Sequence, residues 1–296
     1  MRGPRTFARL FGPALVASIT VAALTTAPAA AAGQDQPACQ PEQAATRYPS
    51  LAGKTINIAA DPAIQPYVFR DPANFDHLIG VDADLIPQVM DCVGLKYEYS
   101  LGAWGGLLPS VVAGQADMMW ANLYYTPERA QQVDFVVFER AGTGGLVKAG
   151  NPKGIKSMDD VCGNTAAAGV GTVEETTFKQ QSDKCVAAGK QPIQLVDYPD
   201  IPAGSRLVSN DRADILLSDL GTTSSLVQAS PDQYELGFTI FTDYKVGPAV
   251  QKGNADLLQA LYDGLKVQQV NGTIKQVMQT YGIDPALAIP VEQLTQ

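Results

Sequence analysis

The sequence predicts an α/β protein of two lobes, each a mainly parallel sheet flanked by helices. Three observations support this prediction: strand-like and helix-like segments alternate from Thr55 onward, the alternation occurs twice in tandem, and two amphipathic segments close the chain. About 260 residues remain after the leader described below, which is enough for two compact domains. We expect lobe one to comprise residues 50–143 and 241–289 and lobe two to comprise residues 147–237, joined by two crossings.

The first unit alternates between apolar runs and helix signals. Gly94 and Gly114 each follow an apolar periodic segment, as glycine commonly does at the end of a helix. The predicted elements are the strand TINIAAD (55–61), the helix GVDADLIPQVMDCVG (80–94), the strand KYEYSL (96–101), the helix GGLLPSVVAG (105–114) and the buried strand ADMMWANL (116–123).

The second unit repeats the rhythm after GGLVKAG (144–150). Thr172 is a suitable N-cap, and Glu175 three residues later completes a capping box. The predicted elements are the strand NTAAAGVG (164–171), the helix TVEETTFKQQSD (172–183), the strand QPIQLVDY (191–198), the helix SRLVSN (205–210), the strand ADILLSD (213–219), the strand-like runs ELGFTIF (235–241) and VGPAVQKG (246–253), and the helices NADLLQALYDGLKVQQV (254–270) and TIKQVMQTYG (273–282).

The N-terminus has the three-part plan of a secretory signal peptide. A basic stretch with three arginines precedes an apolar run and then small residues that end at Ala32. We therefore predict a signal peptide over residues 1–32, cleaved near Ala32, an N-terminal tail over residues 33–49, and a secreted or periplasmic protein. The residues before Cys39 lack the pattern of a lipoprotein cleavage site.

Net charge and cysteine content indicate which partners and cross-links to expect. The net charge of −9 becomes −12 without the three arginines of the leader, which argues against nucleic acid as a partner. Four cysteines in an exported protein indicate two disulfides, for which three pairings are possible. We favour Cys162 with Cys185, which closes a local loop, and Cys39 with Cys92, which ties down the tail. The spacing and the single histidine do not fit a zinc site.

An arginine stands where helix electrostatics disfavour a cation. Thr126 is a good N-cap and Pro127 suits the first helical position, so Arg129 falls in the first turn, where a cation typically costs ~0.3 to 1 kcal/mol. One interpretation is a surface arginine neutralised by Glu128 or Asp134. The other is an anion site built from the guanidinium and free N–H groups of the same helix end.

The carboxyl ends of parallel strands select further candidates, because ligands of open α/β sheets bind there. Asp61 and Asp219 end predicted strands, Asn122 and Tyr124 follow ADMMWA, and Thr172 follows the first strand of lobe two. An arginine facing a carboxylate suits a zwitterion. The guanidinium, the Thr172 hydroxyl and adjacent N–H groups would take an α-carboxylate, and Asp219 would take an α-ammonium. The alternative for Asp219 is a strand-end carboxylate that caps the following turn.

Two further residues have a pocket role and a structural alternative. Trp104 lies among glycines, so its ring either lines a pocket or joins the core. Glu174, with Asp61, either gives the pocket an acidic end or is solvated at a turn. His77, in FRDPANFDHLIG, is expected in a surface loop.

The segment GQADMMWANLYYTPERAQQVDF resembles a block of the extracytoplasmic solute-binding proteins of ABC importers, in the group that binds polar amino acids (family 3). ADILLSD, IAADPAIQPY and GVDADLI resemble further blocks, and the likeness runs from about residue 54 to 283. The resemblance implies the two-lobed periplasmic-binding-protein type II fold. It also implies that Arg129 binds the ligand carboxylate, that Asp219 binds the ammonium, and that lobe closure precedes delivery to a permease.

The chain departs from the family pattern around the ligand side chain. Ile64 stands where many relatives carry a stacking aromatic residue, and Ala121, Asn122 and Tyr124 precede the arginine where small hydroxyl residues are common. These residues are predicted to line a rebuilt side-chain pocket. Asp61 matches the position that faces a distal cation in relatives for basic amino acids, so we expect a polar or basic amino acid or a derivative.

Two other functions use the same fold: an extracytoplasmic dehydratase and a ligand-sensing domain for a signalling partner. We predict a binding protein rather than an enzyme, because the chain has no G-x-S-x-G elbow and no base next to a nucleophile. GVGTVE is only a fragment of a dinucleotide fingerprint, so no cofactor is expected. The expected partners are a small-molecule ligand and an ABC permease, and the protein is expected to be a monomer.

Overall fold

The computed structural model describes residues 37–295, so the predicted signal peptide lies outside the described residues. The helices are α1 Ala44–Arg47, α2 Val81–Val93, α3 Trp104–Val112, α4 Pro127–Ala130, α5 Val173–Ala187, α6 Ile201–Ser209, α7 Leu220–Ala229, α8 Ala255–Val270 and α9 Thr273–Thr280. Short 3-10 turns cover Pro41–Gln43, Pro49–Leu51, Met158–Val161 and Pro285–Leu287. None of the helices in this range has the length and apolar character needed to cross a membrane.

The strands form one large mixed sheet and one small antiparallel sheet. They are β1 Thr55–Ala60, β2 Ala63–Ile64, β3 Val68–Asp71, β4 Asn74–Ile79, β5 Lys96–Leu101, β6 Met118–Met119, β7 Val133–Lys148, β8 Thr165–Gly169, β9 Gln194–Tyr198, β10 Ile215–Asp219, β11 Tyr234–Val246, β12 Ala249–Gln251 and β13 Ala288–Leu294. The large sheet has the order β5-β1-β6-β12-β7-β10-β8-β9, with β11 and β13 also paired to β7, and β2, β3 and β4 form the small sheet.

Parallel pairs dominate on both sides of β7, as the alternation predicted. β1 is parallel to β5 and β6, and β8 is parallel to β9 and β10, while β12 and β10 meet β7 antiparallel. The long strands β7 and β11 pair with each other and run through both halves of the sheet. The fold is therefore the predicted α/β, two-lobed type with two crossings. The lobe boundaries stay a prediction, and we keep the names lobe one and lobe two for those ranges.

Each lobe has its own apolar core. The large core of lobe one includes Trp120 and Phe138, both fully buried, and β1, α2 and α8 contribute to it. Lobe two has two smaller clusters, one around Phe178 and one around Val208. Gly144 of β7 lets α7 approach closely, because a Cβ there would lie 2.1 Å from Oγ1 of Thr223. This contact holds the start of α7 against the long strand.

Several local predictions hold in detail. KYEYSL is β5 and α2 ends at Gly94, whose φ is 72°. Thr172 caps α5 by accepting from the Glu175 N–H. In a capping box the Glu175 carboxylate would accept from the Thr172 N–H. Here it accepts from the N–H of the preceding residue, Gly171. Both predicted disulfides are present, Cys39 with Cys92 and Cys162 with Cys185.

Other local predictions were wrong. Of the predicted strand 116–123 only Met118–Met119 is extended in the sheet, and Asn122 has a φ of 52°, which takes the backbone out of strand geometry. His77 lies in strand β4 rather than in a loop, although its side chain is exposed. The strand β13 and the helix α7 were not predicted. Helix α6 starts at Ile201, four residues before its predicted start, because Asp200 caps it by accepting from the Ala203 N–H.

Candidate functional site

A cavity of about 230 Å³ lies at the carboxyl ends of β1, β8, β9 and β10, where ligands of open α/β sheets are expected. Both lobes contribute to it. Eight of the nine predicted site residues line the cavity: Asp61, Trp104, Asn122, Tyr124, Arg129, Thr172, Glu174 and Asp219. Ala121 is the exception. It is fully buried in the core of lobe one and is not part of the lining, so we do not propose it as a ligand contact.

The Arg129 guanidinium joins the two lobes at one side of this cavity. Its Nη1 donates to the Tyr124 carbonyl oxygen at 2.7 Å, and its Nη2 donates to the Gly171 carbonyl oxygen at 2.9 Å. Arginine has five N–H donors, so three remain for other acceptors. Burial lowers the pKa of Arg129, and the charge of Glu174 opposes that shift. A charged arginine, half-buried and with free donors, is suited to hold a carboxylate.

The helix end beside Arg129 differs from the one predicted. Helix α4 is a single turn, and the Arg129 N–H already donates to the Thr126 hydroxyl. A longer helix end in the lining, which Arg129 contacts through Gly171, belongs to α5, a helix of 15 residues whose first residues are Val173 and Glu174. Because the peptide dipoles of a long helix leave positive charge and free N–H groups at this end, α5 complements an anion held by Arg129.

Thr172 is at the predicted place, but its hydroxyl is committed within lobe two. Its Oγ1 donates to the Gly169 carbonyl oxygen at 2.9 Å and accepts from the Glu175 N–H at 3.1 Å. A hydroxyl has only one hydrogen to donate. Thr172 therefore shapes the start of α5 and takes up the Glu175 N–H, and the Glu174 N–H interacts with its own carboxyl, so the Val173 N–H is the donor that remains there for an anion.

Asp219 caps a helix, as one of the two interpretations expected, and its side chain also lies in the cavity lining. The capped helix is α7, and Oδ1 of Asp219 accepts from the Gly221 N–H at 2.7 Å. Two phenols of lobe one bind it as well: Tyr67 donates to Oδ1 and Tyr124 donates to Oδ2, both at 2.8 Å. Burial raises the pKa of Asp219, and the hydrogen bonds from Tyr124 and Tyr67 oppose the shift.

Two other buried oxygens in the lining lack hydrogen-bond partners. They are Oδ1 of Asn122 and Oγ1 of Thr222, whose side chains are 5% and 1% exposed. Buried polar atoms without a partner are rare, because each forfeits the hydrogen bond it would make with water. Each of these oxygens has less than 1 Å² of accessible surface, so a cation with several N–H donors bound at Asp219 would reach them after a small movement of the surrounding side chains.

The rest of the cavity lining includes apolar and acidic side chains. Trp104 and Ile64 come from lobe one and Tyr198 from lobe two. Asp61 and Asp200 line the same cavity from opposite lobes. Burial is the main cause that raises the pKa of Asp61, and the charge of Asp200 raises it further.

Glu174 is buried at the start of α5, near Arg129 and Asp219, rather than solvated at a turn. Burial raises its pKa to about 7, with Asp219 adding to the shift and Arg129 opposing it. Burial also raises the pKa of Asp82 to about 7. This carboxyl lies below Asn122 and accepts hydrogen bonds from the Asn122 N–H and the Trp120 indole, which oppose the shift. Two buried carboxyl groups in or next to the site, those of Glu174 and Asp82, therefore change protonation state near neutral pH.

Sequence reasoning missed several residues of this site. Thr222, Asp200 and Tyr198 line the cavity, and Tyr67 reaches Asp219 from outside it. Thr222 and Asp200 follow predicted strands, so their places at strand ends were a usable signal. Tyr67 offered no such signal, because its contact depends on how the two lobes meet. In residues 37–295 no group of three or more His, Cys, Asp or Glu side chains is arranged to hold a metal ion.

The sequence profile of the Bacterial extracellular solute-binding proteins, family 3, matches residues 56–284. The chain belongs to this family. The match confirms the family resemblance seen in the arginine block and its neighbours. It also places the protein among extracytoplasmic binding proteins.

Individual relatives in this solute-binding family cover most of the chain. The L-cystine-binding protein TcyJ of Escherichia coli is 25% identical over 77% of this chain and 82% of its own length. The arginine-binding protein ArgT of Corynebacterium glutamicum is 27% identical over 78% of this chain and 75% of its own length. A solved ancestral arginine-binding protein bound to arginine is 25% identical, with a TM-score of 0.70 over 77% of this chain and 98% of the other.

Proposed function

We propose that this solute-binding protein captures a polar amino acid, neutral or basic, or an amino-acid derivative, and delivers it to an ABC permease. The observation that carries the proposal is that Arg129 and Asp219 line one cavity of about 230 Å³. A guanidinium with free donors and a carboxylate with further acceptors around it complement the two charges of an α-amino acid. The names of the cystine-binding and arginine-binding relatives support the same class of ligand.

The ligand carboxylate would lie between Arg129 and the N-terminus of α5. The guanidinium keeps three donors beyond those given to Tyr124 and Gly171. The Val173 N–H at the start of α5 adds a donor, and the helix adds the positive end of its dipole. The guanidinium and the helix end come from different lobes, so a carboxylate binds fully only when the lobes meet.

The ligand ammonium would lie at Asp219. Its three N–H donors match the Asp219 carboxylate and the two unpartnered oxygens of Asn122 and Thr222. An ammonium there would neutralise the buried carboxylate and satisfy both oxygens at once. A ligand without an ammonium would leave these oxygens buried and unpaired. The free energy lost in that case would make the site select for an amine.

The ligand side chain would extend toward Trp104, Ile64 and the acidic pair formed by Asp61 and Asp200. Two carboxylates facing one region from opposite lobes repel each other, and a cationic or strongly donating side chain relieves that repulsion. This part of the cavity therefore favours a basic side chain over an acidic one.

Capture would proceed by closure of the lobes. The ligand first docks on lobe one through Arg129, and lobe two then brings Asp219 and the start of α5 to it. The long strands β7 and β11, which cross between the lobes, would bend to allow this motion. Ligand binding shifts a population of closed molecules that is already accessible.

We propose the remaining properties on the basis of the sequence. The protein would be exported with cleavage near Ala32 and would act as a monomer. It would use no cofactor and would not bind nucleic acid, given its net charge of −9. It would bind its ligand without converting it. A dehydratase on this fold would instead release product from prephenate or arogenate, and a sensing domain would engage a signalling partner rather than a permease.

A thermal-shift screen of the mature protein tests the ligand class. Proteinogenic amino acids, amines and amino-acid derivatives are each added in excess, and a ligand that binds the folded state raises the melting temperature by mass action. We expect shifts for polar or basic α-amino acids and none for the matching amines or for acidic amino acids. A flat response to all α-amino compounds, or turnover of prephenate, would overturn the proposal.

A further inference from the structure

Strand β7 carries a buried carboxyl, Glu139, two hydrogen bonds from the proposed ammonium site. Its side chain is 1% exposed, and its Oε2 has no hydrogen-bond partner. Its Oε1 lies 3.2 Å from the Tyr67 hydroxyl. Within residues 37–295 no Lys or Arg forms an ion pair with it. A carboxylate this buried without a cation is expected to take up a proton instead.

The charged groups around Glu139 also favour its protonated form. Burial is the first cause that raises its pKa well above the usual range, and the negative charges of Asp219 and Asp82 raise it further. On the neighbouring strands, its register partners Val246 and Ala288 are uncharged. The ammonium of Lys245 on β11 is occupied by Glu292 of β13. Only the hydrogen bond from Tyr67 favours the ionised form.

The hydrogen atoms available between these groups decide the direction of the bonds. The Tyr67 hydroxyl has one hydrogen and lies 2.8 Å from Asp219 Oδ1 and 3.2 Å from Glu139 Oε1. One hydrogen cannot serve both carboxylates. If Tyr67 donates to the nearer oxygen, that of Asp219, the contact with Glu139 requires a hydrogen from the Glu139 carboxyl. A protonated Glu139 completes a chain from Glu139 to Tyr67 to Asp219.

We propose that Glu139 is a neutral carboxylic acid that positions Asp219 by donating to the Tyr67 hydroxyl, which in turn donates to Asp219. Tyr124 donates to the other oxygen of Asp219. With both phenols as donors, Asp219 stays ionised and oriented although it is buried. An ionised Glu139 would turn the Tyr67 hydrogen away from Asp219 and add a second negative charge beside it.

The role in ligand binding rests on the proposed function, in which Asp219 receives the ligand ammonium. The protonation state of Glu139 does not rest on it. The two parts therefore fail separately: absence of amino-acid binding by the wild type would remove the proposed function, whereas the protonation of Glu139 is measured without ligand.

The first test measures L-arginine binding by isothermal titration calorimetry at pH 7.5. Glu139→Gln keeps a donor, because its amide can donate to Tyr67, and we expect affinity within threefold of wild type. Glu139→Ala and Tyr67→Phe each break the chain and are expected to weaken binding about tenfold, a typical effect of a lost hydrogen bond to a charged group. Tyr281→Phe is the matched control, because its hydroxyl donates to Asp84, outside the cavity, at 2.7 Å.

The second test is infrared spectroscopy of the unliganded protein at pH 8. The carbonyl stretch of a protonated carboxylic acid is separate from the bands of a carboxylate. Asp82 and Glu174, whose pKa values are about 7, are mostly ionised at this pH. The wild-type minus Glu139→Gln difference spectrum should contain one acid carbonyl band. The same band should shift in Tyr67→Phe, since its hydrogen-bond acceptor is removed.

Either of two results would overturn the inference. One is a difference spectrum that contains only carboxylate bands, which would mean that Glu139 is ionised. The other is an affinity for L-arginine that Tyr67→Phe leaves within threefold of wild type while the acid band is present, which would mean that Glu139 is neutral but does not position Asp219. If Glu139→Ala fails to fold, Tyr67→Phe and Glu139→Gln still decide the question.

Discussion

The hydroxyl of Tyr124, in lobe one, donates a 2.8 Å hydrogen bond to Oδ2 of Asp219, in lobe two. A second bridge between the lobes runs from Arg129 Nη2 to the Gly171 carbonyl oxygen at 2.9 Å. Both bonds connect protein groups directly, so they favour closure independently of any solute. The residues proposed to recognise the two charges of the ligand are thus also the residues that hold the lobes together.

Replacement of Tyr124 by phenylalanine should loosen the closed state. The variant loses one lobe-to-lobe hydrogen bond and leaves Asp219 Oδ2 without that donor, so we expect a larger radius of gyration in small-angle X-ray scattering of the free protein. Amino-acid affinity should fall about tenfold. Tyr281→Phe, which removes a phenol outside the cavity, should match wild type in both measurements. Scattering and affinity unchanged in Tyr124→Phe would argue against the bridge.

Thr222→Val tests the acceptor set around the proposed ammonium. Valine keeps the volume of threonine but removes Oγ1, which is buried and unpartnered in the cavity lining. We expect amino-acid affinity to fall about fivefold with little loss of stability, because an unpaired oxygen is removed from the free protein. Titration calorimetry and thermal melting measure the two effects.

Thr223→Val is the control for this variant, one residue along the same helix. Its hydroxyl donates to backbone carbonyl oxygens and is not part of the lining. It should lower the melting temperature and leave affinity unchanged. The opposite pattern in the two variants would mean that Thr222 does not contact the ligand.

Asp200→Asn tests the preference for a basic side chain. Asparagine retains an oxygen for the Ala203 N–H, so the cap of α6 persists while the charge is lost. We expect affinity for L-arginine to fall about fivefold and affinity for L-glutamine to change less than twofold. Asp197→Asn, on the exposed side of β9, should alter neither value. Equal losses for both ligands in Asp200→Asn would contradict a role in charge selection.

The free protein should be more stable at pH 5 than at pH 8. Burial raises the pKa of Asp82 and Glu174 to about 7, far above the value of roughly 4 expected in the unfolded chain. The folded state therefore holds protons that the unfolded state releases. The resulting stability is fully present below pH 4 and is lost as pH rises through about 7. Melting temperatures across this range measure the loss.

Glu174→Gln should reduce this dependence on pH, because glutamine does not titrate. Glu128→Gln, an exposed change beside Arg129, should leave the slope as in wild type. A melting temperature that stays level or rises from pH 5 to pH 8 in the wild type would contradict the raised pKa values.

The strand and helix order was readable from the sequence because hydrophobic periodicity and glycine stops act locally. The site residues at strand ends, such as Asp61 and Asp219, were predictable for a related reason, since topology sends the carboxyl ends of parallel strands to one edge. The disulfide between Cys162 and Cys185 followed from their closeness along one segment.

What the sequence left hidden depends on contacts between distant segments. The bonds from Tyr67 and Tyr124 to Asp219 span 152 and 95 residues, and no local pattern specifies them. Helix α4 appeared to offer an anion site, but it ends after one turn, and the start of α5 replaces it. Ala121 was predicted in the lining because relatives often carry small hydroxyl residues before the arginine, yet here its side chain packs in the core of lobe one.

The pairing of Arg129 with the ligand carboxylate is tested most directly by a cycle of one mutation and one ligand change. Calorimetry measures wild type and Arg129→Ala with the tightest amino acid of the screen and with the amine that lacks only its carboxylate. We predict that either single change costs about 100-fold in affinity and that the second change adds little to the first. Independent, additive losses would contradict the account, because they would show that the guanidinium and the carboxylate do not interact.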